Sequence, residues 1–408
     1  MKKRLLITAL LILLLALGTA LGCGEAAKKI PGLTEVSEFE GGNLYKAGKI
    51  CVLQLNGDYQ QMGRQYGELM KSQINQFYKE AIEENWPKSS RLSKSMLEGF
   101  CDMTYDKYPE RIRKIFEGMA ETSGVSLDRL KLIDNYVNLV AAAQTGCSGI
   151  AVWGDYTGEG PLLLGRNFDY PEYFREFNDT LTVVVYNPDD GSRSAATLGN
   201  AGQVSSMNMF NDANLALEMN AGTLGIDNEY PMDRTPAFIN NVCFGLDSPN
   251  FTTLNADLMS TRMFFPFIIN VADKDKAYCY EDSQSACVRR EGEAGGLLVA
   301  TNHFRDPSWV IPEELKATEN YQAFWANSTT RYDNLVNLAN KDKGRIDVKV
   351  MEGILDTGME QGGATNPGTI YQFVAVPAEL KLYVQALEYQ KWVEVDLGAL
   401  FEDAEPAE

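Results

Sequence analysis

Residues 145–150 read Thr-Gly-Cys-Ser-Gly-Ile, and residues 165–170 read Gly-Arg-Asn-Phe-Asp-Tyr. Both stretches read as strand ends, and the polar stretch 154–160 between them reads as a turn. Opposite residues of a hairpin share a nearly constant index sum, here about 314. That sum sets Cys147 opposite Asn167, give or take a register step, with Arg166 and Asp169 flanking it about 5 Å away. A lone Gly-Cys pair is usually a small buried hydrophobe. A thiol beside a guanidinium is different, because the cation favours the thiolate and lowers the thiol pKa. Such a thiolate suits nucleophilic acyl transfer.

The base for that thiol is the next question. The chain has a single histidine, His303. Zinc sites built on several histidines are excluded, and a Cys-His pair would have to use His303. An α-amine, with a pKa of about 7.7–8.0, suits proton transfer near neutrality. Cleavage between Gly146 and Cys147 would give Cys147 that amine on its own backbone. It would also match a change of character at this point in the chain.

Before residue 146 the pattern is mainly helical, after one short strand at 50–55. Met62, Tyr66, Met70, Ile74 and Phe77 recur at helical spacing as a core stripe. Further helices are expected over 92–108 and 111–122, and after a Ser126 cap up to about residue 140. After 146 strands dominate, at 148–153, 161–167, 181–186, 193–198, 215–220, 267–272, 276–280, 297–302, 369–376, 381–387 and 392–397. Helices are expected at 234–244, 254–263, 330–340 and 348–357. Many strands are apolar on both faces, which predicts sheets covered on both sides.

The N-terminus reads as an address. Lys2, Lys3 and Arg4 precede an apolar run over 5–17, small residues and Cys23. This is the form of an export signal over 1–22. Ala20-Leu21-Gly22-Cys23 resembles a lipoprotein cleavage box, which would make Cys23 the lipidation site and attach the protein to a membrane. Ordinary cleavage nearby, leaving Cys23 incidental, is the alternative. Export permits disulfides, and Cys279 and Cys287 flank a polar turn at 281–285 across which they could pair. Lys plus Arg number 37 against 56 Asp plus Glu, a net charge of −19. Nucleic acid is therefore not an expected partner.

Several stretches in order resemble one known family, the N-terminal-nucleophile linear-amide C–N hydrolases. Its members include choloylglycine (bile salt) hydrolases, penicillin V acylases, acid ceramidase-like amidases and isopenicillin N acyltransferases. Asn56-Gly57-Asp58 with residues 62–67, and residues 118–121 with 123–126, are similar to the front segment of the acyltransferase-like branch. Gly146-Cys147 and residues 165–169 are similar to the maturation site and first hairpin. Met207-Asn208 with residues 215–220, then residues 301–304, then residues 329–332, are similar to the later site segments. The resemblance implies an α+β fold, the four-layer αββα sandwich, over 147–408. Residues 23–146 would be a mainly helical pro-segment or small subunit.

The resemblance also implies roles. Cys147 is the nucleophile once autocleavage at Gly146–Cys147 exposes its amine. Arg166 and Asp169 position and polarise it, and Asn220 donates to the oxyanion. Asn302 orients the α-amine or scissile amide, and Arg331 holds the network together. His303 reads as structural. Glu218 and Met219 depart from the family, whose strand there is often plainly apolar. No cofactor or metal is expected. The expected partner is a small N-acyl amide, and a homo-oligomer stays open. Three activities compete: an amidase, an acyltransferase on the same fold, and an inactive ligand-binding lipoprotein. Candidate pocket residues are Tyr170, Tyr173, Phe174 and Phe210.

Overall fold

The computed structural model describes residues 30–86, 93–141, 146–223 and 233–401. The expected signal at 1–22, Cys23, Thr145 and the acidic tail lie outside the described residues. The chain divides into residues 1–31 and a compact unit of residues 32–408, to which everything below refers. Among the described residues, no helix is long and apolar enough to cross a membrane.

Two sheets form the centre. The larger has ten strands in the order β1-β2-β3-β6-β7-β8-β9-β10-β11-β12. These are Thr34–Phe39, Gly42–Ala47, Ile50–Gly57, Leu181–Pro188, Ala195–Asn200, Asn208–Asn211, Ala216–Ala221, Phe267–Ala272, Ala277–Asp282 and Cys287–Glu291. The smaller has six, in the order β13-β4-β5-β14-β15-β16. These are Leu297–Ala300, Ser148–Val152, Leu163–Asp169, Thr369–Val376, Lys381–Ala386 and Gln390–Asp396. All pairings are antiparallel except β3 with β6.

The sheets face each other across a buried layer. Phe210 of β8 meets Phe373 of β14 edge to face, with ring centroids 5.2 Å apart. All eight residues of β14 are buried, as strands covered on both faces must be. Helices cover the outer faces. The helix Glu319–Lys341 and the helix Val348–Asp356 pack Tyr332, Leu335, Met351, Ile354 and Leu355 on Ile150, Leu163 and Val374 of the smaller sheet. The helix Ala237–Asp247 lies on β7 and β8, and α1, Tyr59–Leu69, lies on β2 and β3. The four-layer αββα order expected from the sequence is the observed one.

The front of the chain differs from its sequence pattern. It carries three strands rather than one, and they form an edge of the larger sheet. β1 is exposed over most of its length, so no apolar alternation announces it. The helices that follow are as expected: Lys94–Tyr105, Glu110–Thr122 (α2) and Leu127–Ala141 (α3). The glycines of the front motif are packing glycines. A Cβ on Gly63 would lie 2.2 Å from the Ile115 carbonyl oxygen, and one on Gly118 would lie 2.1 Å from that of Gln60. Only glycine lets α1 and α2 approach so closely.

One disulfide expectation fails. Cys279 pairs across the β11–β12 ladder with Arg290, whereas Cys287 faces Asp282. The tight turn sets this register and keeps the two cysteines apart. Both are free, and the Cys279 sulfur instead accepts from Arg290 Nη2 at 3.2 Å.

Candidate active site

The β4–β5 hairpin forms as expected but one register step away: Ser148, not Cys147, faces Asn167. Cys147 therefore stands just before β4, at the mouth of the hairpin. Its thiol is buried, donates to the Asp169 carbonyl at 3.6 Å and accepts from Arg166 Nη2 at 3.6 Å. The Cys147 carbonyl accepts from Arg331 Nη1 at 2.7 Å. Arg331 Nη2 donates to Asn302 Oδ1 at 2.7 Å, and its Nε to Asn327 Oδ1 at 2.9 Å. A Cβ on Gly146 would lie 3.4 Å from Asp169 Oδ2 and 3.9 Å from Arg331 Nη2. Five of the six residues named for catalysis, Cys147, Arg166, Asp169, Asn302 and Arg331, thus form one connected cluster with Gly146.

Arg331 sits in the middle of its 23-residue helix, not at its start. Its helix also supplies Ser328, whose Oγ accepts from the Asn302 backbone N–H at 2.9 Å. Asn302 Nδ2 donates to the Ala221 carbonyl at 2.9 Å, which ties the end of β13 to the end of β9.

Arg166 crosses between the sheets. Its Nη1 donates to the Met207 carbonyl at 2.9 Å and to Asn208 Oδ1, and its Nη2 donates to the Met219 carbonyl. The front segment braces this seat. Asp134 on α3 accepts from the backbone N–H groups of Val204 and Ser205 at 2.9 and 2.7 Å. Tyr66 on α1 accepts from the Gly202 N–H at 3.0 Å. Both hold the loop that leads into Met207 and Asn208.

Asp169 accepts from Thr369 Oγ1 and Asn366 Nδ2, each at 2.7 Å. Burial raises its pKa, opposed first by Arg331 and then by those two donors. The Cys147 thiol departs from expectation. Burial raises its pKa, and Arg166 only partly offsets that, while Asp169 adds to it. A desolvated thiolate loses more hydration than one guanidinium returns. Burial thus favours the neutral thiol of Cys147.

Asn220 lies on β9 and its Nδ2 donates to Glu218 Oε1 at 3.2 Å, while its Oδ1 has no hydrogen-bond partner among the described residues. Sequence reasoning attached no role to Glu218, Asn270, Asn366, Thr369 or Tyr371. The one available signal was Glu218, a charged residue in a mostly apolar strand. Of the candidate pocket residues, Phe174 lines a small cleft with Phe168, Leu198, Gln203, Met207 and Tyr371. Phe210 is core between the sheets. Among the described residues, no group of three or more His, Cys, Asp or Glu side chains is arranged to hold a metal ion.

His303 is structural in its contacts. Its Nδ1 lies 2.8 Å from Ser328 Oγ and 3.1 Å from Thr301 Oγ1, and its ring packs on Trp325. Burial, then Arg305, Arg290 and Arg331, lower its pKa from 6.5 to about 4. Between these values the unfolded chain binds a proton that the folded ring refuses. Stability contributed by the neutral ring is therefore present above pH 6.5 and lost as pH falls toward 4, by about 3 kcal/mol in all. His303→Gln is expected to remove this part of the acid destabilisation. Urea midpoints of both proteins at pH 7 and 4.5 check it, and equal pH slopes would refute it.

No family model matches the sequence, and no curated protein matches it. Solved structures do match. The chain is similar to an acid amidase, a bile acid hydrolase and a penicillin V acylase. The first is the Caenorhabditis elegans ortholog of N-acylethanolamine-hydrolyzing acid amidase, with a TM-score of 0.45 and 17% identity, covering 61% of this chain and 99% of that one. The second is a mutant of conjugated bile acid hydrolase from Clostridium perfringens, with a TM-score of 0.43 and 12% identity, covering 64% and 95%. The third is penicillin V acylase from Agrobacterium tumefaciens, with a TM-score of 0.40 and 11% identity, covering 63% and 88%.

Proposed function

We propose that the protein is an exported, self-processing cysteine amidase that hydrolyses a linear N-acyl amide through an acyl-enzyme on Cys147. The observation that carries this reading is the double grip on Cys147, with Arg166 at its sulfur and Arg331 at its carbonyl. A structural cysteine needs neither. The signal at 1–22 would export the chain, with Cys23 as its lipid attachment point.

Cleavage of Gly146–Cys147 frees the Cys147 amine. That amine takes the thiol proton, and the thiolate attacks the substrate carbonyl carbon. The second N–H of Asn220 Nδ2 and a backbone N–H donate to the oxyanion. The C–N bond then breaks, the amine leaves with the proton, and a thioester remains. Water attacks the thioester and releases the acid and the thiol.

The test is incubation of the full chain with N-acyl amides of several classes: fatty-acyl amides, acyl-amino acids, β-lactam side-chain amides and peptide-like amides. Released amine is measured with and without prior thiol alkylation. Release that alkylation blocks supports the reading, and no release from any class would sink it. Asn220→Ala is expected to lower kcat about 10²–10³-fold, the usual cost of one oxyanion donor. Activity near wild type would remove Asn220 from the site.

A further inference from the structure

We propose that Glu218 is a positioning residue of the Cys147 centre, whose carboxyl holds Asn220 and, by ionising, competes with the Cys147 thiolate for Arg166. This rests on the amidase reading above. Glu218 lies in β9, fully buried, where an apolar residue would pack without desolvating a charge. Its Oε1 accepts from Asn220 Nδ2 at 3.2 Å and from Asn270 Nδ2, the residue directly opposite on β10. Its Oε2 lies 3.5 Å from Arg166 Nε, and neither of these two atoms has a hydrogen-bond partner among the described residues.

The opposite sheet makes room for this carboxyl. A Cβ on Gly149 of β4 would fall 2.0 Å from Glu218 Oε1 and 2.6 Å from Asn270 Nδ2. The residue two places after the nucleophile is thus kept bare by Glu218. One carboxyl then touches the expected oxyanion donor and the guanidinium that touches the nucleophile.

The consequence is a competition. Arg166 offers Nε to Glu218 and Nη2 to the Cys147 sulfur, so one cation faces two acids. Other titratable groups that act on this carboxyl's surroundings are Cys279 on β11 and Tyr371 on β14. Burial raises Glu218 to about 7, with Arg166, Asn270 and Asn220 opposing. Below that pH the neutral acid leaves Arg166 to the sulfur. Above it the carboxylate shares the cation and disfavours the thiolate. Such coupled groups titrate as a pair.

The experiment measures alkylation of Cys147 by iodoacetamide in the full chain from pH 5 to 9, read by peptide mass. In the wild type the rise of rate with pH is expected to bend near pH 7. Glu218→Gln keeps the acceptor for Asn220 but not the charge. It is expected to remove the bend and react about three- to tenfold faster at pH 8, where one pKa unit is tenfold in thiolate. Asn270→Leu keeps the carboxyl and removes a donor, so the bend moves to higher pH, and this variant decides if Glu218→Gln does not fold. Profiles that match the wild type, including no alkylation of any protein, overturn the inference. Alkylation needs no substrate, so the two readings can fail separately. A shifted profile in a chain that hydrolyses no amide refutes the amidase and leaves the coupling. Amide hydrolysis with unchanged profiles does the reverse.

Discussion

Cys147→Ala is expected to leave one uncut chain and no amide hydrolysis, where the wild type yields a fragment of residues 147–408. The reason is local. In the proposed self-processing, the bond between Gly146 and Cys147 is broken by attack of the Cys147 sulfur itself. Among the described residues no other cysteine comes into this cluster: Cys51, Cys101, Cys243, Cys279 and Cys287 are buried or half-buried elsewhere in the fold. Denatured mass of the purified protein, beside the variant, measures the result. The front part should stay bound after cleavage. β3 pairs with β6 along seven residues, and α3 and α1 hold the loop before Met207. Native size-exclusion chromatography should therefore elute both pieces together. A wild-type chain that stays whole, with Cys147 inert to thiol reagents, would overturn the self-processing nucleophile. The ligand-binding reading would then lead.

Arg331→Met is expected to abolish cleavage and to destabilise the fold by about 3–5 kcal/mol, the range for removing one partner from a buried charged network. Arg331 is 1% exposed. Its loss strands the Cys147 carbonyl and Asn302 Oδ1, which accept from it, while Asn327 Oδ1 on the exposed side can turn to water. It also removes the cation that most offsets burial of Asp169. Arg331→Lys keeps a charge but cannot hold three acceptors with one planar fork, so it should rescue stability more than cleavage. Urea midpoints and denatured masses of both variants measure this. A midpoint for Arg331→Met within experimental error of wild type would show that the side chain bridges nothing of consequence.

These two residues also show where sequence reading succeeds and where it stops. Cys147 could be found from its neighbours, because glycines and a polar turn define a hairpin locally. Phe267–Ala272 and Thr369–Val376 were likewise bounded by turn residues and filled by strand formers, and the observed limits are those expected. Arg331 could be named only through resemblance. It lies 184 residues from the carbonyl it binds, and its helix begins eleven residues earlier than its apolar pattern suggested. β1 went unseen because an exposed edge strand needs no apolar alternation.

What the sequence by itself determined is what short-range physics controls: helix stripes, strand runs, turns, and the order of the site segments along the chain. What only the tertiary structure decided depends on two sheets closing over a dry layer. That closure raised the Cys147 thiol instead of lowering it, because burial removes hydration that Arg166 alone does not replace. It set Cys279 beside Arg290 instead of Cys287, because register follows the turn and not the spacing. It also brought Glu218, an odd residue in an apolar strand, against Arg166 and beneath Gly149. Desolvation and cross-sheet distance are properties of the packed chain, and no local pattern carries them.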